Sequence, residues 1–105
     1  MYYSRKYYVY IVANKHKNML YTGVTNNLKR RVDEHFWGKV HGFSKKFNCK
    51  YLLYYEVFED INLAIKREKQ IKSFRREKKD KLISGFNPEW KLLNRSIYSV
   101  DSKYL

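Results

Sequence analysis

Hydrophobic and polar positions follow a strand-like pattern in three segments of the chain. Tyr, Val and Ile dominate residues 7–13, and residues 20–24 resume the pattern after a polar turn at residues 14–18. This pair predicts an antiparallel hairpin. Residues 50–58 form a third, more continuously apolar segment, which is typical of a strand in the middle of a sheet or of one covered on both faces.

The apolar spacing lengthens to four residues after the second strand, which predicts a helix. The repeating residues are Leu28, Val32 and Phe36. Arg31 and His35 fall on the same stripe, one turn apart, so both are expected to face the sheet. Burying a guanidinium is costly unless it is paired. Either these two side chains have a function, or Arg31 reaches solvent at the edge of the stripe and His35 is a satisfied core histidine.

A second helix carries one acid on an otherwise apolar face. Its stripe consists of Ile61, Ala64, Ile65, Ile71 and Phe74, with Glu68 in the middle. An inward carboxylate needs a cation, a hydrogen-bond donor or a metal ion. Mg²⁺ prefers oxygen ligands and often takes only one or two carboxylates. The pattern indicates either a one-carboxylate metal site or a buried ion pair between Glu68 and Arg31 without a metal.

Capping residues and helix breakers set the expected limits of the helices. We expect Thr25 or Asn26 to cap the first helix, and the second helix to cover residues 59–75. The third helix is expected at residues 76–84, with Gly85 as its C-cap. Asn87 and Pro88 are expected to open a last helical turn, and residues 95–105 to form a frayed tail. Three strands with flanking helices in 105 residues predict one small α+β domain with a three-stranded antiparallel sheet.

The charge balance narrows the class of partner. Lys and Arg number 23 against 10 acids, a formal net charge of +13. Nucleic acid is the first candidate partner and an anionic membrane surface the second, with a merely soluble basic protein as the third interpretation. Cys49 is the only cysteine, which excludes a disulfide within the chain and cysteine-based metal clusters. The first residues lack the apolar run of a signal peptide and no stretch approaches about 20 apolar residues, so we expect a cytoplasmic protein without a membrane span.

Basic residues are frequent in the second half of the chain, and two more lie near the start of the first predicted helix. The candidates for contact with phosphates are Lys29, Arg30, Lys66, Lys69, Lys72, Arg75 and Arg76. They form either a solvated helix face or a surface that follows a nucleic-acid backbone, and the net charge favours the second interpretation. Phe36, Trp37 and Phe43 either stack on unpaired bases or belong to the core.

The order of several short motifs resembles one known family. The segments are Tyr8-Val9-Tyr10, Tyr21-Thr22-Gly23, residues 27–31, Glu34-His35, residues 64–72 and residues 87–90. Together they look like the GIY-YIG nuclease family and are similar to its small stand-alone bacterial branch and to the N-terminal nuclease domain of the excision-repair enzyme. The resemblance covers residues 7–94 and implies a three-stranded antiparallel sheet packed between helices.

The resemblance also implies roles for particular residues. Tyr10 and Tyr21 match the tyrosines that position or deprotonate water. Arg31 matches the arginine that stabilises the phosphate, and His35 matches the histidine one turn further on. Glu68 matches the ligand of one divalent cation, Mg²⁺ or Mn²⁺. Asn87 matches an auxiliary amide or is simply a helix cap. The sequence departs from the family pattern at Tyr8, Val9, Thr22 and Val24. Gly23 is kept, where a glycine would let a phosphate or a helix come close.

These observations lead to one expected activity and one alternative. We expect a metal-dependent endonuclease that hydrolyses phosphodiester bonds, with DNA as substrate, in repair or recombination. The alternative is a non-catalytic DNA- or RNA-binding module on the same scaffold. A separate protein that selects the substrate is a further possible partner. The sequence leaves the oligomeric state open.

Overall fold

The computed structural model describes residues 5–97, which contain a three-stranded antiparallel sheet in the order β2-β1-β3. Its elements are β1 Tyr7–Ala13, β2 Leu20–Thr25, α1 Leu28–Phe36, α2 Phe43–Lys46, β3 Tyr51–Phe58, α3 Ile61–Lys72 and α4 Arg76–Phe86. The predicted α+β class and the antiparallel hairpin are confirmed. None of the helices in this part of the chain is long and apolar enough to cross a membrane.

The central strand β1 presents a different core on each of its faces. Val9, Ile11 and Ala13 pack in a cluster that also contains Ala64 and Ile71 of α3 and Ile83 of α4. Tyr10 and Val12 pack in a second cluster with Leu28 and Val32 of α1. The alternation of side chains along β1 therefore places α1 on one face of the sheet, and α3 with α4 on the other.

The third strand occupies the edge of the sheet, so the first of the two interpretations of this segment, a strand in the middle, is wrong and the second, a strand covered on both faces, remains. Its continuous apolar run has another cause. The pairing of β1 with β3 shifts its register within the strand: Ile11 pairs with Tyr54, but the next residue, Val12, pairs with Leu52. Leu53 is therefore the extra residue of a β-bulge. Leu53 and Tyr54 consequently pack in the α3 and α4 cluster, while Leu52 packs in the α1 cluster. β3 is covered on both faces, as the second interpretation of this segment anticipated.

The limits of two helices differ from their predicted positions. Asn27 caps α1, with its side chain accepting a hydrogen bond from the amide of Arg30 at 3.0 Å. Thr25, predicted as a cap, instead accepts a hydrogen bond from the amide of Asn27 and thereby shapes the turn before the helix. Asp60 caps α3, which ends at Lys72 rather than near Arg75.

The remaining differences lie towards the end of the described chain. α4 continues through Gly85 to Phe86, so Gly85 is not its C-cap. Residues 87–90, where a last helical turn was predicted, form a non-helical turn, and Trp90 has a positive φ of 52°. Residues 94–97 are helical, and Ile97 packs against the α1 cluster. The rest of the predicted frayed tail lies outside the described residues.

Candidate functional site

A buried hydrogen bond connects the central strand to the first helix. The phenol oxygen of Tyr10 lies 2.7 Å from Nε2 of His35. Tyr10 is 1% exposed and His35 is 2% exposed. The apolar stripe of α1 turns His35 towards the sheet, and strand alternation turns Tyr10 towards α1. The predicted inward position of His35 is therefore what the structure has.

Ser44 of α2 holds the other nitrogen of the imidazole. Its hydroxyl oxygen lies 2.5 Å from Nδ1 of His35 and donates to the carbonyl of Cys49 at 3.5 Å. We assign Nδ1–H as the donor to the Ser44 oxygen, which leaves the Ser44 proton for the Cys49 carbonyl. Nε2 of the neutral ring then carries the lone pair and accepts the phenol proton of Tyr10. The result is a directed chain from Tyr10 through His35 and Ser44 to the backbone.

Gly23 provides the space in which the Tyr10 ring lies. The two residues are partners in the antiparallel register of β1 and β2. A Cβ on Gly23 would overlap the phenol oxygen of Tyr10 and would lie only 2.5 Å from its Cζ, closer than van der Waals contact allows. The sequence suggested that this glycine admits a phosphate or a helix, but the group that approaches it is the Tyr10 ring. Tyr10 thus extends over β2, which is an edge strand.

Burial and neighbouring charges keep both partners of this bond neutral at pH 7. Desolvation, followed by the positive charge of Arg31, lowers the pKa of His35 to about 4. Burial, followed by the Tyr21 phenol, raises the pKa of Tyr10 well above its ordinary value of 10, and Arg31 opposes this effect. A free phenolate at Tyr10 is therefore disfavoured, and any proton that its oxygen accepts has to be passed on.

Tyr21 lies beside this pair, nearer the solvent. Its ring centroid is 5.2 Å from that of His35 and 6.5 Å from that of Tyr10. Tyr21 is partly exposed, unlike the two buried side chains behind it. The Tyr21 ring therefore lies beside both the Tyr10 ring and the His35 ring.

Arg31 lies at the edge of the apolar stripe and presents its guanidinium to the site. Its Nη1 is 3.4 Å from Oε1 of Glu34, and both side chains are about one-third exposed. The Nε atom is buried and has no hydrogen-bond partner. Buried donors are nearly always satisfied in folded proteins, so an unpaired Nε beside Tyr10 and His35 is suited to an incoming anion.

Glu68 lies on α3, which packs on the face of the sheet opposite α1. Its carboxylate charge contributes to the raised pKa of Tyr10, although α3 packs opposite α1. Lys72, one turn further along α3, lies 3.3 Å from Oε1 of Glu68 and 6.0 Å from the ring centroid of Tyr21. The β2 edge is therefore where groups from both faces meet. Within residues 5–97, Glu68 pairs with Lys72 and Arg31 pairs with Glu34, so the alternative Glu68–Arg31 ion pair is wrong.

Comparison with known proteins identifies the family. The model of the GIY-YIG catalytic domain matches residues 6–81. The chain belongs to the GIY-YIG family. It is 42% identical over 78 residues to a UPF0213 protein of Staphylococcus haemolyticus, covering 74% of this chain and 94% of the relative. It is 40% identical over 76 residues to a UPF0213 protein of Haloquadratum walsbyi, covering 72% and 84%. A solution NMR structure of a UPF0213 protein from Bacillus halodurans has a TM-score of 0.49 and 30% identity, covering 75% of this chain and 83% of that one.

Family membership confirms the resemblance drawn from the tyrosine motifs. The GIY-YIG domain is that of a nuclease family, which implies a nucleic-acid substrate, and its nucleases typically use a divalent metal ion. In the described part of the chain no group of three or more His, Cys, Asp or Glu side chains could hold a metal. A divalent ion bound within this part of the chain would therefore have fewer than three such side chains as ligands.

Glu68 fits the chemistry of such an ion. Its side chain is 14% exposed, so the carboxylate is neither sealed off nor freely hydrated. Mg²⁺ and Mn²⁺ accept carboxylate oxygen and complete their shells with phosphate oxygens and water. Lys72 is the competing cation, because it already neutralises one oxygen of the same carboxylate.

The basic residues predicted to contact phosphates have three different environments. Lys66, Lys69 and Arg75 are exposed, as are Lys29 and Arg30 on α1. Arg76 serves the fold, because its guanidinium donates to the carbonyls of Lys17 and Asn18 and pairs with Asp80. Lys72 lies inside the candidate site through Glu68 and Tyr21.

Asn87 has a structural environment. Its side-chain amide donates to the carbonyls of Leu53 and Lys91, at 3.0 Å and 2.8 Å, and accepts from the Lys91 amide. It is also the C-cap of α4. These contacts fasten the segment after α4 to β3 and support a structural role over that of an auxiliary site amide.

Sequence reasoning did not find Ser44 or the position of Lys72. Ser44 lies nine residues after His35, in a basic loop where no periodicity marks it. Lys72 lies four residues after Glu68, a spacing typical of helix ion pairs that could have connected the two.

Proposed function

We propose that this protein is a divalent-metal-dependent endonuclease that hydrolyses phosphodiester bonds of nucleic acid, with DNA as its substrate. The observation that carries the proposal is the hydrogen-bond chain from Tyr10 through His35 to Ser44, beside an arginine whose buried Nε is unpaired. A proton acceptor next to an anion-binding group is the combination that attack of water on a phosphodiester requires.

The chain of hydrogen bonds lets a phenol with a high pKa take part in proton transfer. Tyr10 donates its own proton to Nε2 of His35, which leaves the lone pairs of its oxygen available to accept a hydrogen bond from water. As water loses a proton to Tyr10, Tyr10 gives its proton to His35. No free phenolate forms, so the raised pKa of Tyr10 is not an obstacle. Tyr21, which is partly exposed, orients the water from the solvent side.

Arg31 binds the phosphate and adjusts the proton acceptor. Its charge is one of the two causes that lower the pKa of His35. A phosphate that pairs with Arg31 offsets this charge, so the imidazole becomes a better proton acceptor when substrate is bound. His35 is therefore neutral in the free protein and gains basicity in the complex.

Glu68 would hold the divalent cation. When bound, the ion would supply Lewis acidity towards a non-bridging phosphate oxygen. Glu68 helps to raise the pKa of the Tyr10 phenol, and its carboxylate pairs with Lys72. The exposed residues Lys66, Lys69 and Arg75 extend the positive surface along which the phosphate backbone binds.

A nicking assay tests the proposal. Purified protein is incubated with supercoiled plasmid and with branched DNA, in Mn²⁺ or in EDTA. We expect cleavage in Mn²⁺ alone, and a loss of at least about 100-fold in Arg31→Ala and in Glu68→Ala. Arg95→Ala removes the same charge from an exposed position and is the matched control. Cleavage by Glu68→Ala at the wild-type rate contradicts the proposal.

The same assay separates the enzyme from a non-catalytic binding module. Such a module would shift DNA in a gel without cutting it in any divalent ion. The resemblance to the nuclease domain of the excision-repair enzyme supports a role in DNA repair or recombination. We further propose that residues 7–94 form the core of one nuclease domain and that a separate protein selects its target.

A further inference from the structure

Trp37 is a large aromatic side chain left in solvent at the end of α1. It is 70% exposed, the most of any large hydrophobic residue in the described part of the chain. Its backbone is nevertheless held, because Trp37 is the C-cap of α1 and its amide bonds to the carbonyl of Asp33 at 3.0 Å. Phe36 supports the indole in an edge-on contact, with ring centroids 5.1 Å apart. An exposed indole with a fixed backbone is suited to binding a flat partner.

A cavity of about 250 Å³ connects Trp37 to the candidate site. His35, Trp37, Ser44, Lys45 and Lys50 are among its lining residues. His35 and Ser44 belong to the hydrogen-bond chain that begins at Tyr10. A group bound in this cavity would therefore lie beside His35, one helical turn from Arg31, which binds the phosphate in the proposed reaction.

The electrostatic environment of the cavity favours an anion. No Asp or Glu occurs between Glu34 and Glu56. The lysines of this stretch are Lys39, Lys45, Lys46 and Lys50. Lys50 also lies over the Phe36 ring, with Nζ 5.7 Å from its centroid. An aromatic platform among lysines, with no acid in that stretch of chain, matches a base attached to a phosphate backbone.

We propose that Trp37 and the adjacent cavity form a subsite for one unpaired nucleotide next to the scissile phosphate. This inference rests on the proposed function and narrows its substrate to nucleic acid that is single-stranded at the cleavage position. The base stacks on the indole of Trp37, and Lys45 and Lys50 contact the flanking phosphate. A base stacked within a duplex has neither face available to an indole, so an intact duplex does not use this subsite.

Fluorescence of Trp37 itself tests the subsite without disturbing it. Trp37 and Trp90 are the two tryptophans of the chain, so a Trp90→Phe variant reports on Trp37 alone. The variant is titrated in EDTA with a 12-nucleotide oligo-dT and with a duplex of the same length. We expect the single strand to quench the emission and the duplex to leave it nearly unchanged.

Affinity measurements with substitutions complete the test. Trp37→Ala is expected to weaken binding of the single strand at least about five-fold, the lower end of what one stacked base contributes, and to change duplex binding less than two-fold. Trp37→Tyr should restore most of the loss. Phe86→Ala, which truncates an aromatic of 47% exposure packed against Tyr54 and Tyr55, is the control and should have no effect.

The outcomes distinguish this inference from the proposed function. Equal losses for single strand and duplex, or no loss and no quenching while the wild type still cleaves DNA, overturn the subsite alone. A wild-type protein that neither binds nor cleaves any nucleic acid overturns the proposed function and the subsite together. Quenching by the single strand with a selective loss in Trp37→Ala supports both.

Discussion

The phenol oxygen of Tyr10 and Nε2 of His35 lie 2.7 Å apart, although the two residues are 25 positions apart in the chain. Both are almost fully buried, and a hydrogen bond is electrostatically stronger in such surroundings than in bulk water. Ser44 on the far side of the imidazole fixes which nitrogen carries the proton. The pair therefore stabilises the fold and defines the protonation state of the candidate site at once.

The neutral state of His35 predicts a characteristic loss of stability in acid. Burial and Arg31 lower its pKa from 6.5 to about 4 in the folded protein. Between these two pH values the unfolded chain binds the additional proton, so stability rises with pH across this window and is lost as pH falls. The contribution of His35 is fully present above about pH 6.5. We expect the unfolding free energy to fall by about 2 kcal/mol when the pH is lowered from 7 to 5.

Urea unfolding at several pH values measures this effect. His35→Gln cannot titrate and should be less stable than wild type at pH 7 but flatter between pH 7 and pH 5. His16→Gln, a change at an exposed histidine, should keep the wild-type slope. Parallel pH profiles for wild type and His35→Gln would show that His35 is not held neutral by the fold.

Ser44 is expected to act on the reaction through the imidazole. Ser44→Ala removes the acceptor of Nδ1–H and frees the ring to adopt the other tautomer, in which Nε2 cannot accept the Tyr10 proton. We expect kcat to fall about ten-fold, the worth of one hydrogen bond, with KM little changed. Ser44→Thr keeps the hydroxyl and should retain activity.

Nitrogen NMR of the histidine side chains provides a readout that is independent of activity. The wild type should show His35 as the tautomer protonated at Nδ1, and Ser44→Ala should show a mixture or the opposite form. An unchanged tautomer in Ser44→Ala would mean that Ser44 only fills space beside the ring.

The parts of the fold that local pattern controls were predictable. β1 begins and ends at the predicted residues, Tyr7 and Ala13, because strand period and β-propensity are local properties. The inward position of His35 followed from its spacing to Leu28 and Val32 on the same helix. The predicted cap of α1 was wrong by at least one residue, because several adjacent polar side chains could each serve as its cap.

Pairing between distant segments was not predictable in the same way. The edge position of β3 depends on which neighbour β1 selects, and its bulge at Leu53 depends on the register of that pair. Ser44 reaches His35 only because the loop after α1 folds back over the helix end. Glu68 was expected to face the sheet, but its meeting with the hairpin at the β2 edge required the arrangement of α3 on the opposite face.

Gly23→Ala tests the space that Tyr10 occupies. The new methyl group would overlap the phenol ring, which is buried and cannot move without breaking its bond to His35. We expect a loss of about 2–3 kcal/mol of unfolding free energy, measured by urea denaturation. Gly85→Ala is the control, because a Cβ at this helical position meets nothing within 4 Å and should stabilise the protein by up to about 1 kcal/mol. A neutral Gly23→Ala would contradict the close approach.

Thr22 offers a substitution that should stabilise the fold. Its hydroxyl oxygen is buried and has no hydrogen-bond partner, so its desolvation is uncompensated. Thr22→Val keeps the shape and is expected to gain about 1 kcal/mol in the urea unfolding free energy. Thr25→Val is the matched control, because the Thr25 hydroxyl bonds to the amide and carbonyl of Asn27 and its loss should destabilise by a similar amount.

Lys72 and a divalent cation are expected to compete for Glu68. The ammonium lies 3.3 Å from Oε1 of Glu68, and the Lys72 side chain is 49% exposed, so the pair is worth at most about 1 kcal/mol. Lys72→Gln should therefore tighten Mn²⁺ binding about two- to five-fold, as measured by isothermal titration calorimetry without nucleic acid. Lys69→Gln removes an exposed charge from the same helix and should change the affinity less, because longer-range charge effects are screened by salt. Equal effects of the two substitutions would indicate that Mn²⁺ responds to the overall charge of the helix, and no binding in Glu68→Ala would identify the carboxylate as the ligand.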